Sequence, residues 1–296
     1  MDAEGRTYHV ATKAGETANR IITVGDPARL RRIATFLDPV PIPFEHSSHR
    51  GYLTISGRYK GTPVSLVAIG MGVAMVDFFV REVRAITEGD LAIIRFGSCG
   101  SLDPTLKVGS IGVPSKALTI STNYDYWHSE SSESVEPYRL SKPIAADAEL
   151  QKTLIDSLSK SVASKECEVR ELALHASADC FYSSQGRIDE SFRDDNHDLI
   201  EKLLERNPEC ASLEMETAHL LHLASISSSS SIRAAACHMI FAGRTSSAGQ
   251  GDFIDPAVVA QLEPKVGRAC LDAIVAWELD QEKLHPEAGS VWAMSN

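Results

Sequence analysis

The sequence predicts an α/β protein, one domain spanning residues 1–296 with a central sheet and helices on both faces. Three observations carry this. Strand-like β-branched runs alternate with segments of helical period along most of the length, the pattern of a sheet with crossover helices. The first such unit, Ile21-Ile22-Thr23-Val24 followed by Gly25-Asp26-Pro27, has a buried strand, a glycine turn and a helix start in immediate succession. No shift in composition marks a linker that would divide the chain.

In chain order, the helix after Pro27 presents Leu30, Ile33, Ala34 and Leu37 on one face, with Asp26 placed to cap it. Residues 64–69 read as a strand and Gly70-Met71-Gly72 as a tight turn. A helix then carries Val73, Val76, Val80 and Val83 on one side. Residues 91–96 are a strand ending in Gly97-Ser98-Cys99-Gly100. Residues 110–120 are strand-like, with an edge or a bend at Pro114. Residues 144–162 read as helix, 172–177 as extended, 194–206 and 216–226 as helices, and 234–241 as strand. Two closing pieces flank Pro264, the second with Val266, Cys270, Ile274 and Trp277 along one side. Residues 123–138 form an excursion rich in Ser, Glu and aromatics, residues 227–231 a solvated serine run, and residues 280–296 a loosely docked polar tail.

The hydrophobic fraction of 43% and charged fraction of 23% describe an ordinary globular chain. A formal charge of −11 excludes a general nucleic-acid binder but leaves room for a local basic pocket. Six widely spaced cysteines with no C-x-x-C pair point to a reduced, cytoplasmic setting. No stretch resembles a secretory signal or approaches the ~18 apolar residues of a membrane span. The ten histidines include no H-E-x-x-H or comparable set, so no metal site is expected. Neither a nucleophile elbow nor a Walker loop is present.

Several short motifs carry chemistry. Gly25-Asp26-Pro27-Ala28-Arg29 combines a turn, free backbone donors and an arginine, which fits either an anion pocket or a plain strand-to-helix connection. The pair Gly70 and Gly72 lacks the third glycine of a dinucleotide fingerprint, because position 75 is Met. Arg95 ends an otherwise apolar strand, so it must meet either a ligand anion at the sheet edge or a structural carboxylate. In Leu213-Glu214-Met215-Glu216-Thr217, Glu216 fits both a helix-start carboxylate and an acceptor for sugar hydroxyls. In the loop from Phe181 to Arg187, Phe181 can stack on a ring, Gln185 offers a donor and an acceptor, and Arg187 can neutralise a carbonyl oxygen; a plain polar loop is the other reading. Arg244 adds a further arginine at a strand end.

Taken in this order, from about His9 to Leu279, the motifs resemble those of the nucleoside phosphorylases of purine and uridine type, and within them the uridine phosphorylases. The resemblance implies a mixed central sheet, partly barrel-like, and assigns Gly25, Arg29, Arg95 and Ser98 to phosphate. Arg50, in Ser48-His49-Arg50, would reach the phosphate of a neighbouring subunit's site, and His9 would cross the same interface toward the ribose. Ser98, Met215 and Glu216 would hold the ribose, and Phe181, Gln185, Arg187 and Arg244 the base. Purine-specific relatives carry an aspartate three residues before the arginine of the later strand; here that position is Phe241. The sequence also departs from the family. A usual threonine is Ser98. The familiar Pro-Gly before the glutamine is Ser183-Ser184, which predicts a less rigid loop. Gly51 stands where bacterial relatives have a potassium-binding glutamate, so that site does not carry over.

What the resemblance implies is reversible phosphorolysis of uridine to uracil and ribose 1-phosphate, with Arg95, Gln185, Arg187, Glu216 and Arg244 as the catalytic set. Inorganic phosphate is the co-substrate and no cofactor is expected. Uridine and phosphate are the partners, with a homo-oligomer whose minimum active unit is a dimer and no nucleic acid or membrane. The rivals are a purine nucleoside phosphorylase of the same fold, a nucleosidase using water, and a non-catalytic nucleoside-binding protein.

Overall fold

The computed structural model describes residues 1–128, 135–164, 167–245 and 251–294. The chain opens with β1 (Arg20–Val24), α1 (Pro27–Ala34), β2 (Phe44–Ser47), β3 (Leu53–Tyr59), β4 (Thr62–Ala68) and α2 (Val73–Ile86). The middle comprises β5 (Leu91–Ser101), β6 (Ile111–Pro114), β7 (Lys116–Thr122), α3 (Asp125–His128), β8 (Tyr138–Leu140), β9 (Ile144–Ala145) and α4 (Ala148–Ser161). It closes with β10 (Val169–Leu172), β11 (Leu174–Ala178), α5 (Leu199–Arg206), β12 (Cys210–Glu214), α6 (Thr217–Ile226), β13 (Ile232–Gly243) and α7 (Pro256–Ala276).

These strands form one mixed sheet that branches at β5. The N-terminal half of β5 runs parallel to β1, and its last residues pair antiparallel with β12. Along its whole length β5 also pairs in parallel with β13. A ring of pairings then closes: β5 to β12, β12 to β11, β11 to β7, and from β6 through β13 back to β5. Pro114 makes the closure possible. It ends β6, and one extended segment therefore serves β13 before the bend and β11 after it. The partly barrel-like, mixed sheet flanked by helices is thus the observed architecture.

Alternation along β1 sends its side chains to two cores. Ile22 and Val24 pack with Leu30 and Ile33 of α1 and Val266 and Ile274 of α7. Ile21 packs on the other face with Phe79 and Val83 of α2 and Leu220 of α6.

Some boundaries differ from expectation. The α4 helix begins at Ala148, because Asp147 caps it by accepting from the Leu150 N–H at 2.9 Å. The α5 helix begins at Leu199, after a loop in which the Asn196 side chain bonds two backbone carbonyls. Pro264 does not split the last segment: α7 runs unbroken through it. The acceptor it leaves unpaired, on Ala260, is on the exposed side, while Leu262, Val266 and Ala269 anchor the helix on the buried side. The polar tail is docked rather than loose. Trp292 is only 1% exposed, its carbonyl accepts from Arg58 Nε at 2.9 Å, and Glu287 pairs with Arg58. The expected excursion at residues 123–138 lies partly outside the described residues, at 129–134. Among the described residues, no helix is long and apolar enough to cross a membrane.

Candidate active site

A cavity of about 580 Å³ opens where β5 leaves β1, at the C-terminal ends of both strands. Gly25, Arg29, Arg95, Ser98, Phe181, Gln185, Arg187, Met215, Glu216 and Arg244 all line it. This is the edge at which α/β sheets bind ligands, and its volume suits a nucleoside-sized molecule.

At one end lie the cationic groups. Close approach favours glycine at position 25, since a Cβ there would stand 3.2 Å from the Gly70 carbonyl oxygen. Asp26 caps α1 by accepting from the N–H groups of Ala28 and Arg29, so these two donors are occupied and anion recognition falls to side chains. Arg29 is buried. Its Nη2 donates to Ser98 Oγ at 2.8 Å, its Nε pairs with Glu263 of α7 at 2.8 Å, and its guanidinium lies over the Phe96 ring. Glu263 also takes Arg32, so one buried carboxylate braces two arginines of α1.

Arg95 meets carboxylates and the cavity at once. Its Nε donates to Glu214 and its Nη2 to Glu216, while Nη1 is buried without a partner. Glu214, a residue the sequence reading left without a role, is the hub. It accepts from Ser177 Oγ at 2.6 Å and from the N–H groups of Glu216 and Thr217, with His175 Nε2 3.1 Å away. Burial alone would raise its carboxyl, but His175 and Arg95 hold it well below the usual range. Glu216 fares differently. Burial, followed by the like charge of Glu214, pushes it up to about 7 against the pull of Arg95. It also accepts from the Gly72 N–H at 2.5 Å, so the Gly70–Gly72 turn positions a carboxylate instead of a dinucleotide.

The opposite end carries the amide and two more arginines. Arg244 donates to both the side-chain and backbone carbonyls of Gln185, at 3.1 and 2.7 Å. Arg187 donates to the Phe181 carbonyl, and its guanidinium sits 4.0 Å from the centre of that ring. Burial, with Arg187 nearby, lowers Arg244 to about 10. The loop is more firmly held than Ser183-Ser184 predicted. Ser184 is fully buried, donates to Asp179 at 2.6 Å and accepts from the Cys180 N–H, and Gly186 closes the turn in the left-handed region. Phe241 also lines the cavity, its ring 6.0 Å from the Arg29 guanidinium, and offers no carboxylate there.

His9 and Arg50 lie outside the cavity, beside each other. Tyr8 joins them: Arg50 donates to its hydroxyl at 3.3 Å, and its ring is edge-on to His9. His9 also stacks on Phe78 and pairs with Glu82, both from α2.

One group of described residues could gather around a cation: His175, Glu214 and His238, with ligand atoms within 4.8 Å of one another. Glu214 is already saturated by donors and Arg95 lies against it, so a divalent ion would enter a positive field. Burial, then His175, holds His238 well below the usual histidine range, and it reads as a neutral packing partner of Gly97.

Against known families, residues 19–276 match the model of the phosphorylase superfamily. The chain belongs to that superfamily. Among curated relatives, this phosphorylase is 29% identical over 284 residues to a uridine phosphorylase of Thermococcus kodakarensis, covering 95% of this chain and 91% of that one. A purine nucleoside phosphorylase of Geobacillus kaustophilus is 36% identical over 114 residues, 38% of this chain and 47% of that protein. Among solved structures, a uridine phosphorylase of the oomycete Phytophthora capsici superimposes with a TM-score of 0.87 at 37% identity, covering 94% and 96% of the two chains. A Trypanosoma brucei nucleoside phosphorylase shares the fold, with a TM-score of 0.75 at 21% identity.

Proposed function

We propose that this phosphorylase cleaves uridine with inorganic phosphate, giving uracil and ribose 1-phosphate in a reversible reaction. The observation that carries the reading is the two-ended cavity: an arginine pair with a serine hydroxyl at one end, an amide with two arginines at the other, and Glu216 with Met215 between them. Phosphate held by Arg29, Arg95 and Ser98 at the Gly25 turn is the nucleophile, and no side chain need attack. A phosphate oxygen bonds to C1′ as the C1′–N1 pair leaves with uracil, through an oxocarbenium-like transition state. Glu216 accepts from the ribose hydroxyls, and Met215 packs beneath the sugar. Gln185 reads the amide edge of the base, Phe181 covers its face, and Arg187 neutralises charge growing on the base oxygen. Arg244 fixes Gln185 and faces the same charge. The reaction calls for no cofactor.

The uridine phosphorylase names among full-length relatives and the absence of a carboxylate at Phe241 favour uracil over a purine base. With this reading go a role in pyrimidine salvage, a cytoplasmic location, and a homodimer in which His9 and Arg50 complete the partner's site. The test is uracil release from uridine with and without phosphate, with inosine in parallel. Release strictly dependent on phosphate and absent with inosine is expected. Release without phosphate would make the protein a nucleosidase, preferential inosine cleavage a purine enzyme, and uridine binding without turnover a carrier.

A further inference from the structure

A second cavity of about 640 Å³ lies at the other end of β1, roofed by the docked C-terminal tail. Arg20, at its wall, lies five positions before Gly25, so the two cavities stand ~16 Å apart along the strand. Arg20 is 4% exposed, yet its side chain's only hydrogen bond among the described groups is a long one, from Nη2 to the Trp277 carbonyl at 3.3 Å. Its Nε is buried with no partner, and so is the indole N–H of Trp277 on the same wall.

Both orphaned groups are donors. A buried guanidinium without a carboxylate is costly, and the Trp277 carbonyl at the end of α7 offsets it by at most the half charge of a helix C-terminus. The other charges around the cavity do not supply the missing partner. Arg58 is taken by Glu287 at 2.5 Å, and Glu278 lines the cavity without pairing with Arg20. The remaining wall is mixed, with Asn19, Thr62 and His285 beside Val275, Leu284 and Trp292.

We propose that this cavity is a second binding site, distinct from the active site, for a small organic anion whose acceptor oxygens meet Arg20 and the Trp277 N–H. The shared chemistry is an anionic oxygen pair on a small organic body. A carboxylate and a phosphomonoester both provide it, and benzoate and phenyl phosphate serve as probes for the two sources.

Calorimetric titration and thermal unfolding of the full chain test the site. Saturable binding of at least one probe is expected with the unaltered protein. Binding should be at least tenfold weaker in Arg20→Met, whose uridine turnover and whose midpoint of unfolding without probe equal or exceed those of the parent. The preferred probe identifies the source. Undiminished binding to Arg20→Met, no saturable binding of either probe, or a lowered midpoint in Arg20→Met would overturn the proposal, the last by making Arg20 a helix cap alone. If Arg20→Met does not fold, Trp277→Phe decides: several-fold weaker binding supports the site and unchanged binding sinks it.

Discussion

Glu214 and Glu216 stand two residues apart, share Arg95, and part company in their titration. Glu214 is surrounded by donors and stays ionised, whereas Glu216 sits near 7 because burial and its neighbour's charge outweigh Arg95. An ionised Glu216 is the better acceptor for ribose hydroxyls, so uridine should bind more tightly as pH rises. With the group near 7, its ionised fraction grows about tenfold between pH 6 and pH 8. Calorimetry should find uridine affinity rising by that factor in the parent and staying flat in Glu216→Gln. The stability sign runs the other way. Because the folded value lies above the unfolded one, the parent loses stability relative to Glu216→Gln as pH climbs from about 4.5 to about 7. At the base end, Arg187→Ala removes a charged partner worth roughly 1.5–3 kcal/mol. It should lower kcat/KM for uridine by about ten- to a hundredfold while leaving phosphate affinity nearly unchanged. Equal losses for uridine and inosine in steady-state assays would dissociate Arg187 from the base.

At the scale of elements, Glu263 joins α7 to α1 and fixes Arg29 against Ser98. Replacing it by Gln leaves a buried guanidinium without its counter-charge, a loss on the order of 3 kcal/mol. Phosphate at Arg29 would restore part of that charge balance. Thermal unfolding should therefore show a lower midpoint in Glu263→Gln and a larger rise on adding phosphate than in the parent. This brace also marks where sequence reading stops. The strand-turn-helix units at β1–α1, β4–α2 and β5 were legible because period and punctuation are local. The lining residues of the cavity were legible because their motifs are short and resemble those of a family. Glu263, 234 positions from Arg29, carries no such local sign. Its one signal is a carboxylate beside Leu262 and one turn before Val266, on an apolar helix face where an acid needs a cation. Strand β2, Phe-Glu-His-Ser, was invisible for the opposite reason: an exposed edge strand needs no apolar alternation. The unbroken α7 shows tertiary packing overriding a proline.

At the scale of the whole molecule, His9 and Arg50 lie outside a cavity that already holds the other lining residues. They cluster with Tyr8, itself 61% exposed, against α2, whose N-cap residue Gly72 donates its N–H to Glu216. An arginine and a histidine gathered outside the cavity, beside an exposed aromatic, are the groups that the proposed homodimer would use to complete the site of another copy. In a two-fold dimer the exchange is reciprocal. Arg50→Ala and Arg187→Ala homodimers would each be impaired. In the mixed dimer, the site on the Arg50→Ala chain keeps its own Arg187 and receives an intact Arg50 from its partner. The other site loses both. Random mixing makes half the dimers mixed, each with one good site, so about one quarter of the parent activity should return after dissociation and reassembly of equal amounts. If Arg50 instead serves the site of its own chain, every site in every combination lacks one arginine, and mixing restores nothing.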